Sequence, residues 1–355
     1  MDNKIVPVVP ENVIFRIIQN AGEEQEELKQ ILMNHLSEED RLEFEAILRG
    51  ELLPSLMSDI IAKKIFDPME HFDRLEYLLR EVAGDETICI DKAANNEGYI
   101  QSEYSKKLIF DIPAWTQDER FADLEMQVNS QEFILERGEI YSSDMLRMQY
   151  SVKKGVAKSS LDFKNTKGVL LVVLMRNSPD KFKEFPGDRY IHRFGPYKAD
   201  SGFVYEKPLK NVVYVQLDKC FEQFIKGMDG ENNPELQLLL AALYDINDER
   251  VLEKAKENNM LKEIISEARQ MSQDKEVQAM LLAERYASAD LRAMRSYERN
   301  EGIREGKREG KDEAFYTLVQ DGKLSVETGA EYAGVSVPEF EKAMTAAGYK
   351  IPAEV

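Results

Sequence analysis

Two cysteines, three histidines and one tryptophan are spread over 355 residues, and each scarcity removes a class of function. Cys89 and Cys220 lie far apart in the chain, so the sequence holds neither a disulfide framework nor a cysteine-built zinc site, and both read as reduced core thiols. His35, His71 and His192 are not at ligand spacing, and no Ser/His/Asp set or Gly-rich phosphate loop accompanies them. No window reaches the ~18 apolar residues that a membrane span needs. The start, Met1-Asp-Asn-Lys-Ile-Val-Pro7, has no basic stretch followed by an apolar one. These absences predict a soluble, cytoplasmic protein without a membrane partner. Positive charge is also scarce: 47 Lys and Arg stand against 66 Asp and Glu, a net charge of -19. Taken alone, that disfavours a nucleic-acid partner, whose binding is driven by phosphate neutralisation.

The distribution qualifies the total. Between Ser151 and Val215 there are 13 Lys and Arg against 6 Asp and Glu, the clearest basic island in the chain. A solvated loop surface is an adequate reading of it, and a face turned to nucleic acid is the alternative. Within it, His192 is flanked by Arg189 and Arg193 and is a candidate phosphate contact.

With 43% hydrophobic residues the chain can bury a sizeable core in two or three folding units. Residues 1–55 read as irregular chain and helix, with Ser37 as an N-cap before Glu38, Glu39 and Asp40. From Met57 to Ala83 apolar residues recur at helical spacing, broken at Asp67-Pro68 and closed by Gly84. Short strand candidates follow: Thr87–Ile90, Lys107–Ile112 ended by Pro113, and Phe121–Val128. Gln131–Tyr150 returns to helix, and Val169–Met175 and Val212–Leu217 are β-branched runs of buried-strand type. This order predicts an α/β or α+β domain over 56–218.

Residues 219–300 predict an all-helical region. Gly302, Gly306 and Gly310 then fall four apart in a charged stretch. Each glycine costs a helix about 1 kcal/mol, so 301–313 reads as a connector in preference to a helix stripe approached by another backbone. The segment 314–355 resembles a helix-turn-helix: Ser325 is an N-cap, Gly334 a stop, and Ser336-Val-Pro-Glu339 has capping-box spacing. Its second helix is acidic, which favours packing or self-association over DNA reading.

Chemistry concentrates at Phe121–Val128. Alternation on a strand puts Phe121, Asp123, Glu125 and Gln127 on one face and Ala122, Leu124, Met126 and Val128 on the other. If the strand ending near Asp111 is its neighbour, Asp111 and Glu125 can converge on a hard cation such as Mg²⁺, with the Met126 carbonyl as a further ligand and Gln127 beside them to orient water. The same residues also suit the wet face of a half-exposed sheet.

The chain resembles the PD-(D/E)XK nuclease-like family of Rpn-type recombination-promoting nucleases and transposases. Asp59-Ile-Ile-Ala-Lys-Lys-Ile-Phe66 is similar to the family's first helix. Phe110-Asp-Ile112 with Leu124-Glu-Met-Gln127 is similar to its Asp…Glu-x-Gln core, and Glu136-Arg137…Tyr141 follows. The resemblance spans roughly 56–345. Ala62 stands where an aromatic is common, Arg80 where Asn is common, and Pro113-Ala-Trp115 is unusual.

It implies a restriction-endonuclease-like mixed central sheet flanked by helices, an α/β fold with an all-helical C-terminal region, and divalent-metal-dependent cleavage of DNA. Asp111 and Glu125 would then hold Mg²⁺, and Gln127 would position water, although a neutral amide cannot act as a lysine would. Glu76 and Glu70 are candidate additional carboxylates. Arg137 and Tyr141, one helical turn apart, are candidate phosphate contacts. The C-terminal helices are candidates for pairing two copies.

Overall fold

The computed structural model describes residues 33–34, 36–95, 109–149, 166–195, 197–205 and 208–351. The side chains of 290, 291, 293–306, 308 and 309 lie outside the description, as do residues 1–32, His35 and a large share of the basic island. The chain divides into two compact units, with the boundary between Glu284 and Arg285.

In the first unit, helices α1 (Glu38–Leu48), α2 (Asp59–Ile65) and α3 (Phe72–Ala83) precede strands β1 (Ile90–Ala93), β2 (Ile112–Thr116) and β3 (Phe121–Gln127). The Ser37 hydroxyl caps α1 by accepting the Asp40 N–H, and Gly84 ends α3 at φ 67°, a left-handed position that glycine takes without strain. Helix α4 (Ile134–Gln149) and strand β4 (Val169–Met175) follow, then the short α5 (Asp180–Lys183), β5 (Ile191–Phe194), a small hairpin of β6 (Tyr197–Lys198) and β7 (Val204–Tyr205), and β8 (Lys210–Gln216). Six strands form a mixed sheet in the order β1-β2-β3-β4-β8-β5. The β3, β4 and β8 strands run parallel, and the outer pairings are antiparallel. Helices α6 (Leu217–Ile225), α7 (Pro234–Tyr244), α8 (Glu249–Ala255) and α9 (Asn259–Gln273) complete the packing.

Both faces of β3 are covered over most of its length. Phe121 through Glu125 are all buried, which overturns the half-exposed reading of this strand. On one face Phe121 packs with Val169, Leu171, Val173, Val212 and Tyr214 beneath Ile134, Tyr141 and Met145 of α4. Gly138 allows that approach: a Cβ there would overlap the Tyr214 hydroxyl.

β2 also differs from expectation, because it begins at Ile112 and runs through Pro113 rather than stopping before it. Pro113 has no N–H to offer, but its carbonyl accepts the Ala94 N–H just past the end of β1, so the ring sits where that ladder is ending.

Two regions of long sequence range hold the helical part against the sheet domain. Arg74, almost fully buried on α3, donates to Glu267 of α9 at 2.6 and 2.7 Å. The Glu284 carboxylate accepts the Ser58 hydroxyl (2.5 Å) and the Asp59 N–H (2.8 Å), fixing the first turn of α2.

Helix α10 (Lys275–Gln320) carries the chain into the second unit. Residues 301–313 lie within this helix; Glu, Arg and Lys, which are good helix formers, flank the three glycines in sequence and outweigh their cost. Helices α11 (Val326–Ala333) and α12 (Val337–Ala346) then pack with Tyr316 and Val319 around Phe340 and Met344. The Ser325 cap, the left-handed Gly334 and the Ser336–Glu339 capping box are all formed. Among the described residues no helix is long and apolar enough to cross a membrane.

Candidate active site

The site is built by the β2–β3 ladder. Ile112 pairs with Leu124, and continuing that antiparallel register by one residue sets Asp111 opposite Glu125. The Met126 N–H donates to Asp111 Oδ2 (2.8 Å), tying the bend before β2 to the adjoining strand. Two residues before Glu125 on β3, Asp123 Oδ1 accepts the Ile112 N–H (3.2 Å). Three carboxylates therefore meet at one corner of the sheet, on the side covered by α4.

Their environment opposes ionisation. Glu125 is pushed up to about 7, first by burial and then by the negative charge of Asp111, against the opposing pull of Arg137. Asp123, only 1% exposed, is raised well above the ordinary range by burial and by Glu125 and Asp111. Burial also raises Asp111, with the Asp59 carboxylate adding to the rise, while the Met126 N–H, Lys63 and Arg137 oppose it.

Asp123 Oδ2 and Glu125 Oε1 are buried without an N–H or O–H donor. Burial and the neighbouring Glu125 charge both favour the neutral form of Asp123. A proton or a cation would satisfy both oxygens.

One cation is already in contact. From α4, Arg137 Nη2 donates to Glu125 Oε2 (3.1 Å) and to the Tyr141 hydroxyl (2.7 Å), and the guanidinium lies 4.4 Å from the centre of the Tyr141 ring. Glu125, Arg137 and Tyr141 line a small cleft with Ile134, Gly138, Leu171 and Val173.

The remaining candidates lie elsewhere. Gln127 shares the Glu125 side of β3, but its amide donates to the Asn129 carbonyl (2.5 Å). Glu76 accepts the Ile90 N–H and pairs with Arg80, at the far end of the β2–β3 hairpin from Asp111. Glu70 is exposed in the turn before α3. His192 lies on β5, three strands from β3 and therefore roughly 14 Å away across the sheet. Its ring is held by Gln216 at 2.8 Å and packed against Phe182 and Phe185, and burial lowers its pKa. Several described cations of the basic island are engaged within the protein: Lys183 with Asp180, Lys210 with Glu139, and Arg193 with the Val82 and Glu81 carbonyls.

Asp123 was legible as a same-face neighbour of Glu125 but not as a buried acid. Asp59 and Lys63, one turn apart on α2 and ion-paired at 2.7 Å, act on Asp111 from a remote part of the sequence.

Asp111, in the bend just before β2 and not at the end of the expected Lys107–Ile112 strand, faces Glu125 of β3 beneath Arg137 of α4; residues 56–298 match the family described as PD-(D/E)XK nuclease family transposase. The chain belongs to that family. No curated protein and no solved structure matches it.

PD-(D/E)XK nucleases generally use divalent metals. The residues present fit such an ion in part. Buried carboxylates, two of their oxygens lacking donors, form a site short of positive charge. Among the described residues, however, no group of three or more His, Cys, Asp or Glu forms a ready cage. Magnesium does not require one, because it is bound through one or two carboxylates with water and substrate oxygens completing the octahedron.

Proposed function

We propose that this family member is a Mg²⁺-dependent DNA endonuclease of a recombination, transposase-like or defence-related type. The observation that carries the reading is the convergence of Asp111 and Glu125 at the corner where β2 meets β3, both held toward protonation by burial, Glu125 also by the charge of Asp111 and Asp111 by that of Asp59.

Asp111 and Glu125 would hold the ion, with the Met126 carbonyl on the same edge of β3 as a further ligand. When bound, the ion supplies an activated water and neutralises charge developing on the phosphate. Arg137 has five N–H donors, of which two are used by Glu125 and Tyr141, so its outer edge is available to a phosphate oxygen. Tyr141 holds that guanidinium in place. Its own proton stays on, since burial and the Glu125 charge push its pKa up to about 12. Gln127 would orient water only after leaving the Asn129 carbonyl.

That last bond favours a second reading, a nuclease fold that binds DNA or protein and turns over weakly or not at all. Incubation of the full chain with supercoiled plasmid and Mg²⁺, beside Asp111→Ala and Glu125→Ala, decides between them. Nicking by wild type and its loss in both variants is expected. An inert wild type supports the second reading, and nicking that persists in both variants removes this site. Pairing of two copies through the C-terminal helices belongs to the same proposal, and light scattering of the full chain should give twice the monomer mass.

A further inference from the structure

Arg137 stands between two binding events. One nitrogen of its guanidinium serves Glu125 Oε2 and the Tyr141 hydroxyl together, and among the described residues nothing else bonds to it. The Arg137 side chain is 37% exposed, while that of Glu125 is 7% exposed. Its inner edge therefore neutralises the carboxylate that a divalent ion would use, and its outer edge faces solvent at the cleft. Gly138 next to it seats α4 directly on Tyr214, a close approach that sets where the guanidinium leaves the helix.

We propose that Arg137 couples metal binding to nucleic-acid binding. In the free protein its charge on Glu125 weakens the site's hold on a divalent cation, and a DNA phosphate on its outer edge offsets that charge and strengthens the hold. The inference rests on the nuclease reading. Its physical basis is plain: an ion ligated by Glu125 would stand within a few ångströms of the guanidinium, in a partly buried place where like charges are poorly screened. Linkage makes the effect reciprocal, so the cation must raise DNA affinity by the factor by which DNA raises cation affinity.

The test is calorimetric titration of the full chain with Ca²⁺, a hard oxygen-seeking ion of the same class, with and without a duplex oligonucleotide. Wild type is compared with Arg137→Met, Arg137→Gln and Arg137→Lys. The two neutral replacements are alternatives, so that one folded protein suffices, as checked by its circular dichroism.

Duplex should tighten Ca²⁺ binding to wild type by about tenfold or more. The neutral variant should bind Ca²⁺ tighter than wild type by a similar factor without DNA, and duplex should add little. Its DNA affinity should show a salt slope smaller by about one. Arg137→Lys keeps the charge and should keep the weak binding of the free protein.

Equal or weaker Ca²⁺ binding by the neutral variant, an unchanged effect of duplex in that variant, or a lysine variant that behaves like the neutral one would overturn the coupling and leave the nuclease reading standing. Wild type that takes up no Ca²⁺ with or without duplex overturns both.

Discussion

The β2–β3 hairpin carries a carboxylate–arginine cluster at each end, and the two have opposite electrostatic character. At the turn end, Arg120 donates to Asp85 (2.6 Å) and to Asp118 (3.0 Å), Thr87 donates to Asp85, and Thr116 to Asp118. Burial alone would raise both acids, but these hydrogen bonds hold Asp85 and Asp118 below the ordinary carboxylate range. At the open end, Asp111, Asp123 and Glu125 meet fewer donors than they have oxygens, and all three are raised. The same residue types thus make a satisfied structural joint in one place and a charge-deficient site in the other. The differences are the deeper burial of the open-end acids and their smaller number of donors.

The largest expected separation is in activity. Asp111→Ala and Glu125→Ala should each lower Mg²⁺-dependent nicking by at least about a hundredfold, the scale of losing a group that acts at the reacting centre, while Asp85→Ala and Asp118→Ala should leave it near wild type.

Next is the response of stability to pH. Glu125 has a folded pKa raised to about 7, so the folded chain holds a proton that the unfolded chain releases at lower pH. Its contribution therefore falls as pH rises from the unfolded value to about 7. Glu125→Gln should raise the unfolding free energy at pH 8 by roughly 2–3 kcal/mol, with the gain vanishing in acid; denaturant melts at both pH values read this. Asp85 and Asp118 behave oppositely. The stability they give is present above the unfolded carboxylate value and is lost as pH falls through their depressed folded values.

Smaller effects sharpen the contrast. Gly138→Ala should cost about 1–3 kcal/mol through overpacking against Tyr214 and should also reduce nicking, because Arg137 is displaced with the helix. Arg120→Met should cost about 1–2 kcal/mol in thermal or urea melts by leaving part-buried carboxylates unpaired, with nicking unchanged.

What could be read in the sequence follows from how local each signal is. The Ser37 and Ser325 caps, the stops at Gly84 and Gly334 and the capping box at Ser336 depend on residues within one turn, and all formed as the sequence indicates. Val169–Met175 matches β4 residue for residue, because a β-branched run buried on both faces leaves little ambiguity. Asp111 facing Glu125 follows from strand pairing together with family resemblance.

Non-local facts were hidden. Alternation marks Asp123 as polar-faced, but only the packing of α4 over that face of the sheet buries it. Pro113 reads as a stop until β1 is seen to end beside it. The hold of Glu284 on α2, and of Arg74 on Glu267, joins residues about two hundred apart with no pattern to announce them. The glycines at 302, 306 and 310 were weighed singly, whereas a helix as long as α10 carries them together.

The central claim is that the open-end carboxylates await a divalent cation, and thermal unfolding tests it most directly. At pH 8, Mg²⁺ added far above its Kd should raise the Tm of wild type in a concentration-dependent way, and should leave Asp111→Asn and Glu125→Gln unmoved. A wild-type Tm indifferent to Mg²⁺, or an equal rise in all three proteins, would contradict it.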